Sequence, residues 1–322
     1  MKDVYETLLH IAYNLENQNQ IISVDAIRQL LALMQIRDFD LEKGIKWLLV
    51  NKFLLMTGEN EFSLTEMGKN EALGINKIRT KEEFSRLIGR ATDSIAYLDF
   101  CEEIYGYRMY LFNMMDKQQL DYLFNKISVK KSDIILDLGC GTGSILAKLI
   151  SIYECRGIGV DQLNKDIVKK CSKKISYIEG DVDSLSDYNL KPNITLSVDS
   201  LYFSSNPDGL VKQLKREQTN RLYLFYSQYI FSETTKNTSV LHHDNTRIAR
   251  SLQQNGLHYR VVEYSANEQA LYEHALKVLP KYKKAFHFEG NNDLYESKLK
   301  ENRTGQELYA NDLASRYLYI VE

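Results

Sequence analysis

Asp133-Ile-Ile-Leu-Asp-Leu-Gly-Cys-Gly-Thr-Gly143 runs without a break into Ser144-Ile-Leu-Ala-Lys-Leu-Ile150. The apolar residues 134–137 predict a buried strand with an acid at its C-terminal edge, and the apolar spacing after residue 144 predicts a helix. Glycines at 139, 141 and 143 separate the two. A turn this tight needs positive φ, and backbone without a Cβ lets a ligand lie close across the helix N-terminus. A dinucleotide fingerprint would place its third glycine at 144, but Ser144 stands there and the glycine comes one residue earlier.

The chain beyond this stretch repeats the alternation. Arg156-Gly-Ile-Gly-Val160 predicts a second strand ending in Asp161, 18 residues past Gly143. In an open α/β nucleotide site an acid at that tip accepts from ribose hydroxyls; a second reading makes Asp161 the cap of a helix over 164–171. Ile175-Ser-Tyr-Ile-Glu179 predicts a third strand, followed by Gly180-Asp181-Val182, and Asn193-Ile-Thr-Leu-Ser-Val198 a fourth, ending in Asp199-Ser-Leu-Tyr-Phe203. Gly-Asp alone is also a common turn. A helix over 207–215, a strand over 221–226, a helix from Asp244 or Asn245 to about 254 and a strand over 258–263 follow. Residues 265–315 read as a mostly helical insertion whose lysines at 281, 283 and 284 mark a solvated face. Ser315-Arg-Tyr-Leu-Tyr-Ile-Val321 alternates well enough to be a closing strand.

The order Asp137-x-Gly-x-Gly-x-Gly143, then Asp161, then Gly180-Asp181-Val182 resembles the motifs of the class I S-adenosylmethionine-dependent methyltransferases. The resemblance covers residues 128–263 closely and the rest by position. It implies an α/β fold with a Rossmann-like seven-stranded sheet, S-adenosylmethionine as cofactor, and methyl transfer to N or O of a small molecule. It also implies cofactor contacts from Asp137, Gly139, Cys140, Gly141, Asp161, Gln162, Asp181, Val182 and Asp199, with the Asp181 carboxylate accepting from the adenine amino group. The Asp199-Ser-Leu-Tyr-Phe203 ending resembles the bacterial small-molecule branch and lacks the Asn/Asp-Pro-Pro-Tyr of enzymes that methylate nucleobase or glutamine amides. The family's Pro-Gly-Gly turn before the fifth strand is replaced by Arg216-Glu-Gln-Thr-Asn220.

Three domains follow: 1–75, a helical linker or lid over 76–127, and the catalytic domain over 128–322. In the first, helical periodicity from Tyr5, a Ser23-capped helix, an Asp40-capped helix and a hairpin over 53–68 make a winged-helix pattern. A recognition helix for DNA should be basic, yet Asp40-Leu-Glu-Lys-Gly-Ile-Lys46 sets acids against Lys43 and Lys46. Dimerisation and cover of the active site, the role this small fold has in many small-molecule methyltransferases, is the favoured reading. Thr80-Lys-Glu-Glu83 predicts the start of a helical stretch reaching about 127. Its segment Tyr97 to Gly106, with Asn113-Met-Met-Asp, resembles the lid placed before the glycine loop in many of these enzymes, so Tyr97, Tyr105 and Asn113 are expected near cofactor or substrate.

Tyr202 is the favoured catalytic residue, with Asp199 and His243 beside it, and Tyr226 is expected on the acceptor side. No metal-ligand spacing is seen, and no metal is expected. The net charge of −2 gives no basic footprint for nucleic acid. Cys101, Cys140, Cys155 and Cys171 lack a Cys-x-x-Cys spacing, which suggests reduced thiols and a cytoplasmic protein. No signal peptide or membrane span is expected. Two rival functions stay open: a DNA-binding regulator that senses S-adenosylmethionine, and a protein or RNA methyltransferase.

Overall fold

The computed structural model describes residues 2–18, 20–34, 36, 39–171, 175–216, 221–231 and 237–322. The turn at 217–220 lies outside them. The chain divides into two compact units, Met1–Glu82 with Gln228–Arg247, and Glu83–Ser227 with Ile248–Glu322.

The first unit contains α1 (Lys2–Asn17), β1 (Ile22–Ser23), α2 (Val24–Leu33), α3 (Leu41–Val50), β2 (Leu54–Gly58), β3 (Glu61–Leu64) and the start of α4 (Glu66–Ala91). The expected caps act as such: Ser23 Oγ accepts from Ala26 N at 3.1 Å and Asp40 Oδ1 from Lys43 N at 3.1 Å. The strands pair in the order β1-β3-β2, antiparallel throughout. Leu8, Leu9, Ile27, Leu48 and Phe62 share one core with other apolar residues of these elements. Two expectations need correction. The hairpin ends at Leu64, because Thr65 Oγ accepts from Gly68 N at 2.9 Å and so caps a helix where a strand was expected. Thr80 starts nothing, since α4 passes through it; no residue from 77 to 83 opposes a helix already under way.

The second unit continues with α5 (Ile95–Tyr105), α6 (Lys117–Asn125), β4 (Ile134–Leu138), α7 (Ser144–Tyr153), β5 (Arg156–Asp161), α8 (Lys165–Cys171), β6 (Ser176–Glu179), β7 (Ile194–Val198), α9 (Pro207–Arg216) and β8 (Arg221–Tyr229). It closes with α10 (Arg247–Gln254), β9 (Arg260–Glu263), α11 (Ser265–Phe288), α12 (Asn292–Ala310) and β10 (Ala314–Val321). The expected continuous helix to residue 127 is interrupted. Gly106, at φ 71°, ends α5, and Asp116 caps α6, leaving a loop over 106–116.

The seven strands lie in the order β6-β5-β4-β7-β8-β10-β9. β4 pairs in parallel with β5 and β7, β8 with β7, and β10 runs antiparallel to β9. Side chains alternate between two cores. Ile135, Ile194, Leu196, Phe225, Leu318 and Ile320 pack with residues of α5, α6, α7, α11 and α12. Leu136, Leu138, Leu222, Leu224, Tyr317 and Tyr319 pack with α9 and α10. Helices therefore cover both faces, and the free edge of the sheet at the carboxyl ends of β4 to β7 is where the sequence motifs fall. Among the described residues no helix is long and apolar enough to cross a membrane.

Candidate functional site

The glycine loop is built as its sequence required. Gly139, Gly141 and Gly143 have φ of 67°, 54° and 74°, the left-handed region that favours glycine. Their surroundings differ. A Cβ at Gly139 would come within 2.3 Å of Ser200 Cβ, and one at Gly143 within 2.5 Å of Ile175, so both are packed into the protein. A Cβ at Gly141 would meet no protein atom within 4 Å. This middle glycine presents bare backbone to a space that a ligand could enter.

Acids stand at the strand ends around it. Asp161 closes β5 and accepts from Gly141 N at 2.8 Å and from Leu163 N at 3.0 Å, so the second strand tip holds the loop of the first. Burial raises its carboxyl above the ordinary value even though those amides favour the charged form. Asp137, buried in β4, is raised well above the usual carboxylate range by desolvation first and by the Asp161 charge second. Asp181 follows β6 and accepts from Asp183 N at 2.9 Å, starting a 3-10 turn that contains Val182. A Cβ at Gly180 before it would lie 2.1 Å from the Tyr188 hydroxyl, so a side chain there would displace that tyrosine. Gln162 sits partly exposed beside Asp161. Cys140 turns its sulfur under the loop against Gly159, so only its backbone remains for a ligand, and burial keeps its thiol protonated.

The tip of β7 is different from what its motif suggested. Asp199, at φ 52°, accepts from Arg316 Nη1 at 2.6 Å, Arg316 Nη2 at 3.0 Å and Met114 N at 2.7 Å. Both carboxylate oxygens are therefore engaged. Arg316, fully buried near the start of β10, also donates to Gln119 Oε1 and Ser227 Oγ at 2.7 Å each. Ser227 in turn donates to buried Glu268, which also accepts from the hydroxyls of Tyr272 at 3.0 Å and Tyr309 at 2.5 Å. A charge this deep is tolerated only when its donors and acceptors are matched in this way.

The same network anchors the 106–116 loop. Met114 binds Asp199, and Thr142 Oγ1 of the glycine loop donates to Tyr110 O at 2.8 Å. The expected lid residues hold that loop from within. Tyr97 donates to Leu111 O at 2.5 Å, Tyr105 to Asn113 O at 2.9 Å, and Asn113 Oδ1 accepts from Met115 N at 3.1 Å. Tyr97 and Tyr105 therefore shape the segment beside the glycine loop without spending their hydroxyls on a ligand.

Tyr202 and Tyr226 do come together, with ring centroids 5.8 Å apart, and Tyr202 remains partly exposed at the β7 end. His243 belongs to the first unit, whereas Tyr202 and Tyr226 belong to the second. Arg316, Glu268, Ser227 and Gln119 were missed. A visible signal existed for one of them, an arginine inside the apolar run that closes the chain. Asp183 was missed too; it accepts from Ser204 Oγ, Ser205 N and Ser205 Oγ at 2.5 to 2.7 Å, tying the β6 loop to the β7 loop.

A family model described as methionine biosynthesis protein MetW matches residues 119–222, about a third of the chain. No curated protein sequence matches. Among solved structures, the phosphoethanolamine N-methyltransferase 2 of Haemonchus contortus, in complex with phosphomonomethylethanolamine and S-adenosylhomocysteine, is similar with a TM-score of 0.56 at 14% identity, over 90% of this chain and 74% of that one. The cyclopropane synthase MmaA2 of Mycobacterium tuberculosis gives 0.54 at 11% identity, over 73% and 97%. A 4+2 cyclase, SpnF, gives 0.50 at 14%, over 64% and 80%. The fold is the Rossmann-like class I methyltransferase fold, mixed α/β with a seven-stranded, mostly parallel sheet.

Proposed function

We propose that the chain binds S-adenosylmethionine and transfers its methyl group to N or O of a small molecule. The observation that carries this reading is the open face of Gly141, whose amide Asp161 holds, with Asp137 and Asp181 at the ends of the neighbouring strands β4 and β6. A cofactor bearing a sulfonium and an ammonium suits a site with acids at successive strand ends, and its ribose suits an acid held at the end of β5. Asp137, Gly139, Gly141, Asp161, Gln162, Asp181 and Val182 would hold it, with Cys140 contributing backbone. The fold alone does not decide the chemistry, since a cyclase shares it.

The bound cofactor supplies an activated methyl. The chain's part is to hold a nucleophile in line with it and keep water out, and orientation with desolvation accounts for much of such a rate enhancement. A methyl donor held there would give its carbon to the acceptor's lone pair, with the C–S electron pair staying on sulfur. Asp199, with both oxygens engaged by Arg316 and Met114, is better placed to fix the 106–116 loop than to take a proton. That arrangement favours an acceptor arriving with its lone pair free. Tyr202, partly exposed beside Tyr226, is the residue we place against the acceptor. His243 has no part in this scheme.

The first unit, with three helices and a small antiparallel sheet, we read as the winged-helix-like dimerisation domain of a cytoplasmic homodimer. Asp40 and Glu42, set in sequence against Lys43 and Lys46, speak against DNA.

Calorimetric titration with S-adenosylmethionine, and separately with NAD, tests the reading. Micromolar binding of the first alone is expected, with Asp161→Ala weakening it by about 100-fold in a chain of unchanged circular dichroism, on the scale of about 2 to 3 kcal/mol for charge-assisted hydrogen bonds. Binding of NAD alone, or full affinity in the variant, would overturn it.

A further inference from the structure

We propose that His242, His243 and Asp244 form a binding site for a divalent transition-metal ion of the zinc class. The sequence spacing gave no hint of it, because three adjacent residues match no usual ligand pattern. In the structure each of the three contributes one ligand atom to a group lying within 4.8 Å of one another, a grouping found nowhere else among the described residues. His243 Nδ1 stands 3.1 Å from Asp244 Oδ1, and His242 Nδ1 stands 3.9 Å from Asp244 Oδ2. Two ligand atoms held at zinc bond lengths on a tetrahedral ion are about 3.3 Å apart, a value these two distances bracket. The imidazole centroids lie 4.1 Å apart with the planes tilted by 34°, and χ2 is a soft torsion about which the wider pair can close.

The backbone that carries the three residues is fixed by its own hydrogen bonds. Asn237 Oδ1 accepts from Ser239 N and Ser239 Oγ, Asn245 N donates to His242 O at 2.8 Å, and Asn245 Nδ2 donates to Ser239 O at 2.9 Å. Asp244 N donates to His242 Nδ1 at 3.4 Å, which makes that nitrogen the unprotonated one of the ring; this long bond is the one an ion would displace. Two imidazoles with one carboxylate favour zinc, nickel or copper over magnesium or calcium, which prefer oxygen. The side chains are about half exposed, so water or an outside ligand can complete the ion's coordination.

The test needs no knowledge of the methyl acceptor and is independent of the methyltransferase reading. The full-length protein, stripped with a chelator, is titrated with zinc chloride by calorimetry and with cobalt chloride by visible absorption. One equivalent of each is expected, cobalt giving the intense bands of a low-coordinate site. His242→Ala and His243→Ala should each weaken binding by at least about 10-fold, since loss even of a ligand's outer-shell partner costs that much. His287→Ala, an exposed histidine on α11, should not change it. Saturable binding that survives both substitutions, or no saturable binding by the unaltered protein, would overturn the site. All three side chains are solvent-accessible, and unchanged melting of the variants shows that lost binding is lost ligation.

Discussion

Asp137 shows how much one position can report. Its carboxyl is raised well above the usual range by burial and by Asp161, so the folded chain keeps a proton there that the unfolded chain has released. Stability from this group is therefore greatest at low pH and declines as pH rises from the unfolded value toward the folded one. A cationic ligand reverses the preference, because it favours the ionised carboxylate. Affinity for S-adenosylmethionine is accordingly expected to rise with pH through that window, with proton release on binding. Calorimetry in two buffers of different ionisation enthalpy reads this directly. Equal apparent enthalpies would remove the proton from the account, and Asp137→Asn should abolish any difference seen.

His10 carries the opposite sign in the first unit. Burial first, and the Arg79 charge second, push its pKa down from 6.5 to about 4 against the raising effect of its bond with Asn76. Above about 6.5 the ring is neutral in both states and stability is full; as pH falls toward about 4 the unfolded chain gains a proton that the folded one refuses. A loss of up to about 3 kcal/mol follows over that interval. Thermal unfolding across the same range should show it, and His10→Leu should flatten the dependence.

At the scale of elements, the glycine loop, the β5 acid and the Gly-Asp turn were legible because each is dictated locally. Positive φ demands glycine, a tight turn demands a strand and a helix on either side, and a buried run of β-branched residues demands a sheet. The Arg316 network was not legible, for its members come from α6, β7, β8, α11 and β10 and meet only after the sheet has formed. The break at Gly106 was hidden for a related reason: aromatic and Met residues at helical spacing look the same whether a helix continues or a loop packs them, as Leu111 and Met115 are packed. Arg316 can be tested as the joint of these elements. Arg316→Met would leave Asp199 and Glu268 buried without the guanidinium, a change expected to cost about 3 to 5 kcal/mol in urea unfolding. Arg316→Lys keeps the charge but loses the fork that reaches both Asp199 oxygens, and should fall between. Equal stability of all three would mean that the pair is dispensable to the fold.

For the molecule as a whole, the first unit presents an apolar surface that its own core does not use. β2 is an edge of the small sheet, and Leu55 and Met56 on it are 56% and 63% exposed, with Val50 at the end of α3 at 72%. An exposed edge with apolar side chains invites pairing with another chain unless charge protects it, and Thr57 and Gly58 offer none. Self-association through this strand is therefore the expected behaviour of the intact protein. Sedimentation velocity should give a dimer whose population grows with concentration. Met56→Glu placed on the edge should shift it to monomer with little change in melting temperature, since the side chain it replaces is mostly exposed and contributes little buried area to the fold. A monomer at every concentration would deny the strand this role, and a dimer that survives the substitution would move the interface to another surface.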